Sequence, residues 1–198
     1  MKILLSSNKE IITKYIKQGA KIGFIATASE LDDGRWYMEK DKKDLVDMNF
    51  KIIDIDITNE DKDSIIEKFN SVDAIFVAGG NCFYLLQQLK MKKVLEDLIE
   101  FANSKIYVGS SAGSCIACPS IEYVEKLDDK TEAPLLKDYN AMNLIDAYIL
   151  PHYNSKEKYT KLADEIINEN KNLKFIKLSN EQAVIVNDRN DYKIINTN

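Results

Sequence analysis

Five short apolar runs alternate with amphipathic segments over the first 110 residues, and this alternation constrains the fold more than any other feature of the chain. The apolar runs are Lys2–Ser6, Lys21–Ala28, Phe50–Ile57, Ala74–Ala78 and Lys105–Gly109. The segments between them, which show helical spacing of apolar residues, are Lys9–Gln18, Asp32–Asn49, Glu60–Asn70, Cys82–Leu89 and Val94–Asn103. Strands that are apolar on both faces and alternate with helices are typical of a parallel sheet covered on both sides. The pattern predicts an α/β fold, a three-layer αβα sandwich with a mostly parallel central sheet.

The last fifty residues predict one more strand, one helix and an edge of the sheet. Ala147–Leu150 is a predicted strand, and Lys156–Asn170 is a predicted long helix. Phe175–Leu178, Ala183–Val186 and Tyr192–Ile195 are predicted antiparallel or edge strands. No low-complexity tract or linker interrupts the chain, so we expect residues 1–198 to form a single domain.

Charge and hydropathy exclude several classes of partner. The net charge is −5 and no basic block occurs, so nucleic acid is not an expected partner. The apolar run at the N-terminus is too short for a signal peptide, and no stretch approaches the roughly 20 apolar residues of a membrane-spanning helix. We therefore expect a cytoplasmic protein that makes no membrane contact, holds no metal or cofactor, and is a monomer or a homodimer.

The segment Gly109-Ser110-Ser111-Ala112-Gly113 directly follows a predicted strand and begins a helix. This is the context of a G-x-S-x-G nucleophile elbow, in which small residues permit a tight turn that exposes the serine hydroxyl. Ser111 is the predicted nucleophile, and the Ala112 N–H would face a developing oxyanion. A simpler interpretation is a glycine-bounded strand–helix turn whose serines only cap the helix.

A serine nucleophile needs a base, and His152 is the one histidine of the chain. It follows the predicted strand Ala147–Leu150 and should lie at the same edge of the sheet as Ser111. If the chemistry is of the Ser–His type, the base is therefore His152. The alternative is a surface histidine or a hydrogen-bonded core histidine.

Gly79-Gly80-Asn81 ends another apolar strand. Glycines at this point let backbone N–H groups approach a substrate closely, so the Gly80 N–H is a predicted second oxyanion donor. Gly79 and Asn81 are expected beside it as substrate-binding residues. A left-handed turn with Asn81 capping the next helix is an alternative, and it is compatible with the first interpretation.

The three cysteines do not predict a disulfide framework or a metal site. Cys115 and Cys118 follow Ser111 at a C-x-x-C spacing, but no second such pair exists. Small buried apolar thiols on the inner side of the helix after Ser111 are the favoured interpretation. A redox dithiol is the alternative.

Three segments together resemble the dipeptidase E (α-aspartyl dipeptidase) and cyanophycinase family of serine peptidases. Ala78–Leu86 (AGGNCFYLL) is similar to the family's GGN-T-F-x-L-L segment, and Tyr107–Gly113 (YVGSSAG) is similar to its YIGxSAG nucleophile segment. Pro151–Tyr153 (PHY) matches its P-H-F histidine segment, and Ala117–Pro119 continues the nucleophile match. The motifs occur in the same order from the first strand to about Val186.

The resemblance implies a class I glutamine amidotransferase-like (flavodoxin-like) fold with serine in place of cysteine. It implies a serine-type peptidase that acts on short peptides with an N-terminal aspartyl residue or on β-aspartyl polymers. By motif, Ser111 carries over as nucleophile, His152 as base, and Gly80 and Ala112 as oxyanion donors.

This chain departs from the family at the third member of the triad. The family has an acidic residue in a segment like Leu178-Ser179-Asn180-Glu181-Gln182-Ala183. Without a gap the acid falls on Asn180, with Glu181 one residue later. Chemistry favours Glu181, because a carboxylate stabilises an imidazolium, whereas register favours Asn180, whose amide orients the ring without neutralising it. A plain turn between two strands is the third option.

A second departure concerns specificity. Aspartyl dipeptidases carry an arginine soon after the A-C-P segment, where this chain has Ile121-Glu122-Tyr123. Lys126 or Lys130 would have to substitute for it, and Glu122 would repel an aspartyl side chain. Strict aspartyl specificity is therefore not expected.

Three functional hypotheses follow. The first is a serine peptidase of the dipeptidase E type. The second is a non-catalytic module for small molecules or peptides on the same fold, favoured by Asn180 in place of an acid. The third is a cysteine-dependent redox or amidotransferase-like enzyme that uses Cys115 or Cys118.

Overall fold

A seven-stranded sheet forms the centre of the computed structural model, which describes residues 2–7 and 11–197. The strands of the chain are β1 (Lys2–Ser6), β2 (Lys21–Ile25), β3 (Lys51–Asp54), β4 (Ala74–Val77), β5 (Ile106–Ser110), β6 (Tyr148–Leu150), β7 (Phe175–Lys177), β8 (Gln182–Asp188) and β9 (Asp191–Asn196). The large sheet has the order β3-β2-β4-β5-β1-β8-β9, with the first five strands parallel and the last two antiparallel. The predicted mostly parallel sheet is confirmed.

Seven α-helices connect and cover the strands in the described residues. They are α1 (Ile12–Tyr15), α2 (Trp36–Asp47), α3 (Lys62–Ser71), α4 (Cys82–Lys92), α5 (Leu95–Ser104), α6 (Ala112–Cys115) and α7 (Glu157–Glu169). The start of the predicted helix Lys9–Gln18 lies partly outside the described residues. No helix within the described ranges is both long enough and apolar enough to span a membrane.

Side chains of the parallel strands alternate between two apolar cores, one on each face of the sheet. In β4, Ile75 and Val77 pack into the core that contains α3, α4 and α5, whereas Phe76 packs into the core beneath α1 and α2. In β1, Ile3 and Leu5 face the first core and Leu4 faces the second. This two-sided burial explains why the strands are continuously apolar, and it confirms the three-layer αβα sandwich.

One predicted strand lies outside the main sheet. Phe175–Leu178 was expected to be an antiparallel or edge strand, and β7 is an edge strand that pairs in parallel with β6 in a separate two-stranded sheet. The physical reason is that α7 connects β6 to β7 as a crossover, and such a connection joins parallel neighbours. The small sheet carries the segment after β6 to the carboxyl ends of β1 and β5.

Ser114 joins the carboxyl ends of β1 and β5. Its Oγ accepts from the Ser6 N–H at 2.9 Å and lies within donor distance of two carbonyls, Ser6 O at 2.8 Å and Gly109 O at 2.7 Å. The Ser114 side chain is completely buried. One hydroxyl therefore satisfies the last polar groups of two neighbouring strands where the chain turns into α6.

We expect Ser114→Ala to lower the free energy of unfolding by about 1–3 kcal/mol, because the buried Ser6 N–H loses its acceptor. Urea denaturation of both proteins measures the difference. Ser71→Ala, at the exposed end of α3, is the control and should change it by less than about 0.5 kcal/mol. Equal stability of Ser114→Ala and wild type would contradict this account.

Candidate active site

Ser111 adopts a backbone conformation that few non-glycine residues tolerate. Its φ is 50° and its ψ is −105°. The strained turn is held from both sides, since the Ser111 N–H donates to Ser6 O at 2.9 Å and the Ser111 carbonyl accepts from the N–H groups of Ser114 and Cys115. Strain of this kind is typical of functional sites and matches the predicted nucleophile elbow.

The glycines of the G-x-S-x-G segment permit the turn because the backbone at Gly109 passes very close to the backbone at Gly113. A Cβ placed on Gly109 would lie 2.4 Å from the Gly113 carbonyl oxygen. No side chain fits at that distance, so the requirement for small residues on both sides of Ser111 has a direct steric cause.

Ser111, His152 and Asn180 form a hydrogen-bonded series. Ser111 Oγ lies 3.0 Å from His152 Nε2, and His152 Nδ1 lies 2.8 Å from Asn180 Oδ1. Because an amide oxygen only accepts, Nδ1 carries the ring proton and Nε2 is left to accept from the Ser111 hydroxyl. This is the tautomer that a general base next to a serine requires.

The ring of His152 is fixed by contacts that the sequence alone did not reveal. His152 has a left-handed φ of 61°, and its N–H donates to Ser7 Oγ at 3.0 Å. Ser7 Oγ in turn donates to the Leu178 carbonyl at 3.2 Å, and the Tyr159 ring lies 5.6 Å from the imidazole. The sequence offered one indication of this role for Ser7. The residue directly follows β1, and β1 is the parallel neighbour of β5, which ends at the nucleophile turn.

The structure places Asn180, and not Glu181, against His152. Glu181 is exposed, and its N–H donates to Ser179 Oγ at 3.3 Å. Asn180 follows β7 and lines the same cavity as Ser111 and His152. The register argument therefore agrees with the geometry, whereas the chemical preference for Glu181 does not.

The turn after β4 lies beside Ser111. A Cβ on Gly79 would approach Ser111 Cβ to 3.2 Å. Gly80 has a φ of 134°, and a Cβ there would fall 2.1 Å from the Ala28 carbonyl oxygen, so only glycine fits. Asn81 caps α4, since its Oδ1 accepts from the N–H groups of the second and third residues of the helix. Both interpretations of this segment, close approach and capping, are thus compatible with its geometry.

A cavity of about 710 Å³ opens over these residues at the carboxyl ends of the strands. Gly79, Gly80, Asn81, Ser111, Ala112, His152 and Asn180 all line it. Ala112 begins α6, so its N–H has no carbonyl partner inside the helix. The sequence-derived candidates other than Glu181 therefore converge on one cavity, as expected at this edge of an open α/β sheet.

All three cysteines are buried. Cys82 and Cys115 are 2% exposed, and Cys118 is fully buried. Interaction with Cys115, together with burial, raises the pKa of the Cys82 thiol, and burial raises the pKa of Cys118 to about 12. A thiolate nucleophile needs the opposite environment. Within the described ranges no three side chains of the metal-binding types are grouped to hold a metal ion.

The residues singled out for aspartyl specificity lie outside the cavity. Lys126 pairs with Glu169 at 2.6 Å, and Lys130 pairs with Glu125 at 2.9 Å. Glu122 lines a separate depression of about 490 Å³ and is not among the residues that line the active-site cavity. Glu122 was expected to repel an aspartyl side chain, but other residues of the segment after Pro119, including Asp128 and Glu132, are the ones that line the cavity.

A serine hydroxyl hydrogen-bonded to a histidine ring, at the carboxyl edge of a mostly parallel sheet, is the arrangement of a serine hydrolase. Residues 2–194 match Peptidase family S51, and the chain belongs to that family. It is a serine peptidase of the dipeptidase E type.

Relatives agree with this assignment along most of the chain. An uncharacterized peptidase of Listeria innocua is 36% identical over 195 residues, covering 93% of this chain and 91% of that protein. Peptidase E of a Nostoc species is 31% identical over 136 residues, covering 67% of this chain and 52% of that protein. The crystal structure of a candidate Peptidase E protein from Listeria monocytogenes EGD-e has a TM-score of 0.90 at 31% identity, with 98% of each chain covered.

We expect Asn180→Ala to lower kcat by about 10- to 100-fold, less than the ~10⁴-fold seen when a triad aspartate is replaced, because an uncharged orienting group is lost. Steady-state hydrolysis measures the effect. Glu181→Ala is the matched control one residue away and should retain wild-type kcat. The reverse ranking of the two variants would assign the orienting role to Glu181.

Iodoacetamide should leave both the thiol content and the hydrolytic activity of the folded protein unchanged, because all three thiols are buried. Mass spectrometry counts the labelled cysteines, and urea-unfolded protein is the control in which all three react. Loss of activity in step with labelling would support a thiol nucleophile.

Proposed function

We propose that Ser111 and His152 carry out peptide hydrolysis through an acyl-enzyme. The observation that carries the proposal is the 3.0 Å contact between Ser111 Oγ and His152 Nε2 inside the cavity. Ser111 Oγ attacks the scissile carbonyl carbon while His152 Nε2 takes the hydroxyl proton. The Gly80 and Ala112 N–H groups stabilise the oxyanion of the tetrahedral intermediate.

The intermediate collapses when the C–N bond breaks. His152 gives its proton to the leaving amine, which departs as the free amino terminus, and Ser111 holds the acyl group as an ester. Water then attacks the ester, His152 accepts its proton, and a second tetrahedral intermediate releases the carboxylate and restores the serine hydroxyl. Asn180 keeps the imidazole in one tautomer through both halves of the cycle.

Short peptides are the proposed substrates. The cavity of about 710 Å³ suits a ligand of a few residues, and the relatives named Peptidase E support a peptide substrate. We further propose that residues 1–198 act as one peptidase domain, as a monomer or a homodimer in the cytoplasm. The first strand, β1, and the last, β9, belong to the same seven-stranded sheet, which supports a single unit.

Ser111→Ala should lower dipeptide hydrolysis by at least about 10⁴-fold while leaving the fold intact, because the acyl acceptor is lost. Release of free amino acids from a panel with acidic, neutral and basic N-terminal residues measures the rate. Labelling of wild type by a fluorophosphonate should disappear in the same variant.

Ser71→Ala is the control for this experiment, and it should hydrolyse the panel at the wild-type rate. A folded wild type that neither cleaves any dipeptide nor reacts with the fluorophosphonate would overturn the proposal in favour of a peptide-binding protein on this fold.

A further inference from the structure

The active-site cavity is lined by far more negative than positive charge. Among the described residues it is lined by the carboxylates Asp32, Asp41, Asp128, Asp129 and Glu132, and by the single cation Lys156. Neither arginine of the chain is among these lining residues: Arg189 pairs instead with Asp146 at 3.2 Å. An aspartyl side chain entering this cavity would meet like charge.

Two of the carboxylates are fixed next to the catalytic turn. Asp128 Oδ2 accepts from the Cys82 N–H at 2.8 Å, and Glu132 Oε2 accepts from Asn81 Nδ2 at 2.7 Å. Asn81 directly follows Gly80, the proposed oxyanion donor. The two carboxylates are therefore held in place beside the turn after β4, in the cavity that Ser111 lines.

No lysine or arginine in the part of the chain that the structure describes forms an ion pair with Asp128 or Glu132. Burial, with the neighbouring charges of Glu132 and Asp32, raises the pKa of the Asp128 carboxyl. The free energy of such a carboxylate falls when a cation comes to lie beside it.

The other side of the cavity offers aromatic faces. Trp36 is 72% exposed at the start of α2, and Tyr37 beside it donates its hydroxyl hydrogen bond to Asp32. Both side chains line the cavity. An exposed indole next to carboxylates is a suitable contact for a lysine ammonium or an arginine guanidinium.

From these observations we infer that the cavity prefers short peptides that carry a lysine or arginine next to the scissile bond, and disfavours aspartyl peptides. The Ser111–His152 pair identifies the cavity as a substrate site independently of the carboxylates. The inference rests on the proposed function, because it names the substrate class of the same site. Asp128 and Glu132 are its specificity-determining residues, and Trp36 contacts the cationic side chain.

Binding to the Ser111→Ala variant tests the preference without turnover. Calorimetry at low salt with Lys-Ala, Ala-Lys, Ala-Ala, Asp-Ala and Ala-Asp separates the side-chain charge from the terminal ammonium, which all five dipeptides share. We expect the better lysyl peptide to bind at least about tenfold more tightly than either aspartyl peptide, with Ala-Ala between them. High salt should reduce the difference.

Charge-neutralising variants identify the responsible residues. Asp128→Asn and Glu132→Gln keep an oxygen acceptor for Cys82 and Asn81 but remove the charge, so each should lower the ratio of lysyl to aspartyl affinity by about tenfold. Glu125→Gln removes an equal charge from the same segment, outside the cavity, and should leave the ratio unchanged. Thermal melts verify that each variant is folded.

The inference is overturned if an aspartyl peptide binds as tightly as the lysyl peptides, or if both neutralised variants fold and keep the wild-type ratio. Failure of the proposed function gives a different result: wild type cleaves no peptide and is not labelled by a fluorophosphonate. The order of binding affinities measured with Ser111→Ala does not depend on the cleavage and labelling results for wild type, so the two failures can be distinguished.

Discussion

The turn at Ser111 depends on the parallel pairing of β1 with β5. The ladder runs from Lys2 opposite Ile106 to Ser6 opposite Ser110, and the next hydrogen bond along it is the Ser111 N–H to the Ser6 carbonyl. That bond fixes a backbone with φ of 50° at the point where the strand becomes a helix. Without a neighbouring strand to supply the acceptor, the strained conformation would relax and the hydroxyl would leave the reach of His152.

Much of the architecture follows from the sequence because local and global patterns agree. Continuous apolar runs predicted a sheet covered on both faces, and the two cores require that pattern. Ser111 and His152 were recognisable because each follows a strand, and the carboxyl ends of parallel strands meet at one edge. The helix after Ser111 is only four residues long, since the chain turns away after Cys115.

Other parts could not be predicted because they depend on long-range contacts between loops. The parallel pairing of β6 with β7 is set by the α7 crossover, and nothing in the three residues of either strand shows it. Ser7 acquires its role only when the loop after β6 comes within 3.0 Å. The carboxylates of Asp128 and Glu132 reach the cavity through contacts with the turn after β4, which lies 46 and 51 residues earlier in the chain.

Asn180 comes later in the chain than the two residues it supports, Ser111 and His152. The amide lies between β7 and β8, and β8 reaches its place by pairing with β1, the first strand of the chain. A nascent chain can therefore form the β1–β5 ladder and the Ser111 turn long before His152 has its partner. The orienting amide is therefore the last of the three residues to be synthesised, after both Ser111 and His152.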